Sequence, residues 1–112
     1  MSALTVNLVV EQNSDFEAIF TVTDEDTGMP INLSNYTAES KFRKSFYSSS
    51  FTEFIATIID PIAGKVKLSL PNSTSCLIRG GRYVYDLLIT NISSGAKTRV
   101  VEGIVTVKEG VT

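Results

Sequence analysis

Arg82-Tyr83-Val84-Tyr85-Asp86-Leu87-Leu88-Ile89-Thr90 lies between Gly80-Gly81 and Asn91-Ile92-Ser93-Ser94-Gly95. Tyr83, Tyr85, Leu87 and Ile89 share one parity, so a strand here points all four to one face. Val84 and Leu88 fall on the other face, which is therefore covered at least in part. Such a strand belongs at the centre of a sheet. Val100 to Val107 forms a second apolar run directly after it.

Working outward, the rest of the chain repeats this period of two. Leu4, Val6, Leu8 and Val10 alternate with Thr5, Asn7, Val9 and Glu11, and Gln12-Asn13-Ser14 supplies a turn. Phe16, Ala18, Phe20 and Val22 then alternate with Asp15, Glu17, Thr21 and Thr23, and only Ile19 interrupts the polar face. Asp24 to Gly28 is an acidic turn, and Pro30 to Tyr36 is a short crossover. Thr37 to Lys44 forms a third strand, with Ala38 and Phe42 inward and Glu39, Lys41 and Arg43 outward. From Phe51 to Ile59 both faces are apolar: Phe54, Ala56 and Ile58 on one, Phe51, Ile55 and Ile59 on the other. That pattern fits a strand covered on both sides or one carrying a bulge. Asp60-Pro61-Ile62-Ala63-Gly64 turns the chain into Val66, Leu68 and Leu70. Asn72 to Ile78 allows one helical turn capped by Asn72 or Ser73 and closed by Gly80. Strands about Arg82–Thr90 and Lys97–Val107 complete the chain, and Gly103 is expected to kink the second.

About seven strands at intervals of roughly ten residues, with no amphipathic helix, predict an all-β fold. The expected architecture is a single domain over 1–112, an antiparallel β-sandwich, immunoglobulin-like or jelly-roll-like. Gly81-Arg82-Tyr83-Val84-Tyr85 resembles the tyrosine corner of immunoglobulin-like domains, where a tyrosine bonds back to the chain just upstream. Tyr83 holds that position; the alternative is that both rings are ordinary core.

Composition narrows the function. Ten basic residues against 12 acidic give a net charge of −2, so neither nucleic acid nor an anionic membrane is an expected partner. One cysteine, Cys76, forbids an intramolecular disulfide, and the chain contains no histidine, the commonest general base and metal ligand. Met1-Ser2-Ala3-Leu4 carries no signal-peptide pattern. No apolar run approaches the ~20 residues of a membrane helix. A soluble product made in a reducing cytoplasm is expected.

Motifs of chemistry are weak. Asp24, Glu25 and Asp26 precede Gly28, but counting from Asp24 puts Met29 at position six and Asn35 at position twelve, which fails the EF-hand pattern. A solvated turn is the simpler reading. Lys41-Phe42-Arg43-Lys44 with Phe46 and Tyr47 mixes cations and aromatics as single-strand binders do. Here Phe42 turns inward, which leaves Lys41 and Arg43 as a solvated face or as a rim contact with a protein. Asn32, Asn35, Asn72 and Asn91 each begin an N-glycosylation triplet, and each is read as a turn residue. Cys76 is expected to be a buried structural thiol, and Asp86 either a buried, hydrogen-bonded aspartate or an outward-facing one. No catalytic, cofactor-binding or metal-ligating set emerges, so the expectation is a non-enzyme without cofactors.

Several stretches resemble a class of small β-sandwich modules in tailed-bacteriophage virions. They are Phe16 to Val22, Ile31 to Ala38, Phe42 to Ser45, Gly64 to Leu68, Gly81 to Leu87, Arg99 to Gly103, and Val105-Thr106-Val107 with Val111-Thr112. The similarity is to the N-terminal domain of siphophage upper-baseplate proteins and to stand-alone virion proteins of similar size. The resemblance implies a structural or attachment module located in the virion and made in the host cytoplasm. In upper-baseplate proteins such a domain anchors a longer fibre-carrying chain. A chain ending at Thr112 is expected to lack those further parts, which favours a module that decorates or cements a capsid or sits near the neck or baseplate. Its expected partners are other virion proteins and copies of itself on a symmetric particle. Edge strands and the loops Asp24–Pro30 and Ser45–Ser50 are the expected contact elements, with Phe46, Tyr47, Arg43 and Lys41 as candidate contact residues. The competing reading is a carbohydrate- or receptor-binding sandwich, using Tyr36, Phe46 and Tyr47.

Overall fold

The computed structural model describes residues 4–24, 27–45 and 49–110. In chain order the elements are β1 (Leu4–Thr5), β2 (Leu8–Glu11), β3 (Phe16–Thr21), β4 (Tyr36–Arg43), β5 (Thr52–Asp60), β6 (Lys65–Leu70), α1 (Asn72–Ser75), β7 (Gly81–Asn91) and β8 (Lys97–Lys108). The fold is all-β, as expected. The strands form one sheet in the order β1-β8-β7-β4-β5-β6-β3, with β2 also on β8, curled into a half-barrel.

Two expectations about the sheet need correction. It is mixed, because β1 and β2 run parallel to β8 while the other pairings are antiparallel. The expected first strand is also two strands, which brings the number in the described sheet to eight. The physical cause lies on β8. A side-chain carbon on Gly103 would stand 2.1 Å from the Val6 carbonyl oxygen, so only glycine lets the two backbones approach this closely. The ladder breaks there. The Val6 amide donates to the Glu102 carbonyl at 2.9 Å, and Asn7 Oδ1 accepts from the Ile104 amide at 3.1 Å.

The sheet curls at β5. Thr52, Glu53 and Phe54 pair with β4, and from Ile55 onward the strand pairs with β6. Phe54 sits at the changeover, with ring centroids 4.8 Å from Phe42 of β4, 5.6 Å from Phe16 of β3 and 6.2 Å from Tyr85 of β7. Tilted and edge-on ring pairs at these distances are favourable beyond their area, so Phe54 ties the two halves of the curl. Val10, Val66, Leu68, Leu87 and Val105, each fully enclosed, fill the same core. The predicted bulge of β5 lies between Ile58 and Asp60. Its outer face is not covered, for Phe51, Ile55 and Ile59 are exposed.

Local expectations divide. Tyr83 Oη donates to the Arg79 carbonyl at 2.7 Å, the back-bond of a tyrosine corner. Tyr85 is core, and its Oη reaches across the sheet to donate to the Val6 carbonyl at 2.5 Å. The helical turn forms, but neither Asn72 nor Ser73 caps it. Asp15 does, accepting from the Asn72 amide at 2.8 Å and from Asn72 Nδ2 at 3.0 Å. Cys76 is exposed at the end of that turn, contrary to the expected burial, with Sγ donating to the Ser73 carbonyl. Ser75 takes the inward position of this turn and is fully buried, which leaves its neighbour Cys76 facing out.

Candidate functional site

The outer face of β4, β7 and β8 carries an open cleft of about 580 Å3. The register sets its composition in rows across the strands. Arg43, Val84 and Ile104 make one row; Lys41, Asp86, Glu102 and Thr5 of β1 the next; Glu39, Leu88 and Arg99 the third. Since alternate residues of a strand face opposite ways, the parity that buries Phe42, Tyr85, Leu87 and Ile89 exports these residues. Val84 and Leu88 form a half-buried apolar floor, and Ile104 stands more exposed at its side.

Charge runs between and around these apolar residues, since the row of Lys41, Asp86 and Glu102 separates Val84 from Leu88. Arg99 Nε lies 3.3 Å from Asp86 Oδ2, and its Nη1 is 3.8 Å from Glu102 Oε2. Lys97 Nζ approaches Glu39 Oε1 at 3.1 Å. Exposed pairs of this kind add little stability. They give the cleft both signs of charge.

The candidate contact residues separate. Lys41 and Arg43 both line the cleft, on the outer face as predicted. They share one aromatic ring: Lys41 Nζ is 4.4 Å and the Arg43 guanidinium 5.1 Å from the centroid of Phe51, which is 46% exposed. Lys41 also lies 4.0 Å from Glu53. Phe46 and Tyr47 lie outside the described residues, as do Glu25 and Asp26 of the acidic turn. Tyr36 packs partly buried against the core and so offers less of its ring to a ligand than the competing reading needs.

Phe51 and the apolar floor escaped the sequence reading, although the signals were present. Phe51 has the parity of Ile55 and Ile59, and Val84 that of Leu88. Parity shows that such residues leave the core but not whether another layer covers them. Asp86 faces outward and accepts from Arg99, one of its two expected roles. Two of the triplet asparagines, Asn32 and Asn91, do turn chemistry. Asn32 Oδ1 accepts from the Ser34 amide at 2.9 Å, and Asn91 Oδ1 from the amides of Ser93 and Ser94 at 3.0 and 3.1 Å. Among the described residues no group of three or more acidic or cysteine side chains could hold a metal ion.

No protein-family model matches the sequence, and no curated protein does. Among solved structures, the chain is similar to InlP of Listeria monocytogenes. The TM-score is 0.50 at 13% identity, over 95% of this chain and 28% of that one, so it corresponds to less than a third of that protein. The NK cell receptor NKp44 gives a TM-score of 0.49 at 15% identity, over 96% of this chain and 100% of that one. At 13% identity what is shared with InlP is fold alone.

Proposed function

We propose that the protein is a non-enzymatic structural module of a tailed-bacteriophage virion, acting by protein–protein contact through the outer face of β4, β7 and β8. The observation that carries the contact surface is the cleft itself. Val84, Ile104 and Leu88 offer apolar surface on either side of a charged middle row, Lys41, Asp86 and Glu102, and such a mixed surface suits contact with a protein of matching charge. The virion assignment rests on the sequence resemblance, whose most specific element, Tyr83-Val84-Tyr85-Asp86-Leu87, contributes Val84 and Asp86 to this cleft. The architecture we favour is an immunoglobulin-like sandwich. Its support is the back-bond of Tyr83, the partner change of β5, and a core that joins β3 and β6 to β4 and β7 through Phe54.

Weak contacts repeated around a symmetric particle add up through avidity, so a modest cleft suffices. The test is to induce the phage or prophage that carries the gene, purify particles by density gradient, and quantify the chain by mass spectrometry. A fixed ratio to the major capsid protein is expected. Absence from particles that contain that protein overturns the reading. The double variant Val84→Glu, Ile104→Glu puts two charges on the floor and is expected to reduce incorporation at least tenfold while leaving the far-UV circular dichroism unchanged. Unaltered incorporation of a folded variant removes the cleft as the contact surface.

A further inference from the structure

Strand β3 ends the sheet among the described residues. Its ladder to β6 is unbroken from Phe16–Leu70 to Thr21–Lys65. The Val22 amide donates to the Gly64 carbonyl at 2.8 Å, which continues that ladder. Alternate residues of an antiparallel strand turn their main-chain groups to opposite sides. Val22, Phe20, Ala18 and Phe16 therefore bond toward β6, and Glu17, Ile19 and Thr21 present their amides and carbonyls to the open edge. Natural edges are usually blunted by proline, lysine, a bulge or shortness. Phe16-Glu17-Ala18-Ile19-Phe20-Thr21 has no proline, lysine or bulge over six residues, and its one charge, Glu17, pairs with Lys67 of β6 at 3.2 Å. At its middle Ile19 is 59% exposed, an apolar side chain in an otherwise polar row.

We infer that β3 pairs edge to edge with β3 of a second copy, antiparallel, about a two-fold axis through Ile19. In this register Ile19 faces Ile19 of the second copy and Glu17 faces Thr21 of the second copy. One step outside, Asp15 faces Thr23 of the second copy, so no like charges oppose. The residues that meet as hydrogen-bonded pairs are the three whose main-chain groups are free to bond. A two-fold contact must be self-complementary, and a strand with an apolar centre, acids on one side and threonines on the other meets that condition. The exposed Ile19 gains its own twin as a cross-strand neighbour. The pairing depends on β3 alone and is independent of the cleft and of the virion reading.

Sedimentation velocity over a concentration series tests the pairing. The wild-type chain is expected to shift toward twice the chain mass. Ile19→Lys sets two ammonium groups against each other and is expected to remain monomeric, with unchanged circular dichroism. A cross-linking series provides an independent readout. In a Cys76→Ser background, Ile19→Cys places two cysteines about 5.5 Å apart between Cα atoms, within disulfide reach. Mild oxidation is expected to give a covalent dimer. Glu17→Cys in the same background lies far from its twin and is expected to give little. A wild-type chain that stays monomeric, a dimer indifferent to Ile19→Lys, or equal cross-linking at 17 and 19 overturns the inference.

Discussion

The two edges of the sheet are built in opposite ways. On one side β1 and β2 are short, two and four residues, and the chain between them leaves the ladder at Val6 and Asn7. Tyr85 Oη and the Asn7 side chain bond within that interruption. On the other side β3 is regular, has no interruption, and among the described residues has no strand beyond it. An irregular edge cannot template a further strand, and a regular one can. The chain closes one edge with specific side-chain chemistry and leaves the other, among the described residues, without a partner strand.

The largest effect is expected from breaking the closed edge at its tightest point. Gly103→Val directs a side chain into the Val6 carbonyl, which is backbone and cannot swing aside. Either β1 and β2 leave β8 or β8 distorts, at a cost of about 3 kcal/mol, the upper part of the overpacking range. Urea unfolding measures it. A loss below about 1 kcal/mol would show that the N-terminal strands contribute little.

Next in size is Tyr85→Phe. It keeps the ring against Phe54 and deletes the hydroxyl that bonds Val6, leaving a carbonyl unsatisfied, for roughly 1 to 2 kcal/mol. The same residue gives a pH signature. Burial raises the Tyr85 phenol from its usual 10 to about 12. The folded chain then holds this proton after the unfolded chain has released it. The stability linked to the proton is complete below pH 10 and is lost as pH rises from 10 through 12. Tyr85→Phe is expected to remove that part of the alkaline slope, seen by comparing unfolding free energies of the two chains across this window.

The third change acts where the open edge begins. Asp15 holds the first turn of α1 through the Asn72 amide, and Ser75 Oγ donates to the Ser14 carbonyl at 2.8 Å. Asp15→Ala is expected to cost about 1 kcal/mol, as for other lost helix caps. A double-mutant cycle with Asn72→Ala separates the side-chain contact from the main-chain bond.

Strand identity was legible wherever one face is buried and the other wet, because period two then appears directly in the residues. Phe16 to Val22, Val66 to Leu70 and Tyr83 to Ile89 are of this kind. The tyrosine corner was legible too, since it depends on residues close in sequence. Pairing was not. The parallel placement of β1 and β2 on β8 joins opposite ends of the chain, and its cause is a contact between Gly103 and Val6 that no local pattern reveals. The cap of α1 failed for the same reason: the turn starts at Pro71, so Asn72 is its first residue, and Asp15, distant in sequence, accepts from the Asn72 amide. For the cleft, the sequence placed Lys41 and Arg43 on an outer face and missed Phe51, because only the three-dimensional fold brings that ring beneath both cations.

The smallest intrinsic effect is expected on the open edge, and there the contrast is sharpest. Ile19→Lys removes no buried contact within one chain, since the side chain already stands in solvent. At low concentration its unfolding free energy should match the wild type within about 0.5 kcal/mol. Concentration then separates the two proteins. Association of folded chains stabilises them by mass action, so the wild-type Tm should climb as protein is added. The Ile19→Lys Tm should stay level, because the lysines oppose pairing without weakening the monomer. Parallel climbs for both chains would mean that they associate elsewhere, and that β3 is as closed in solution as β1 and β2 are in the fold.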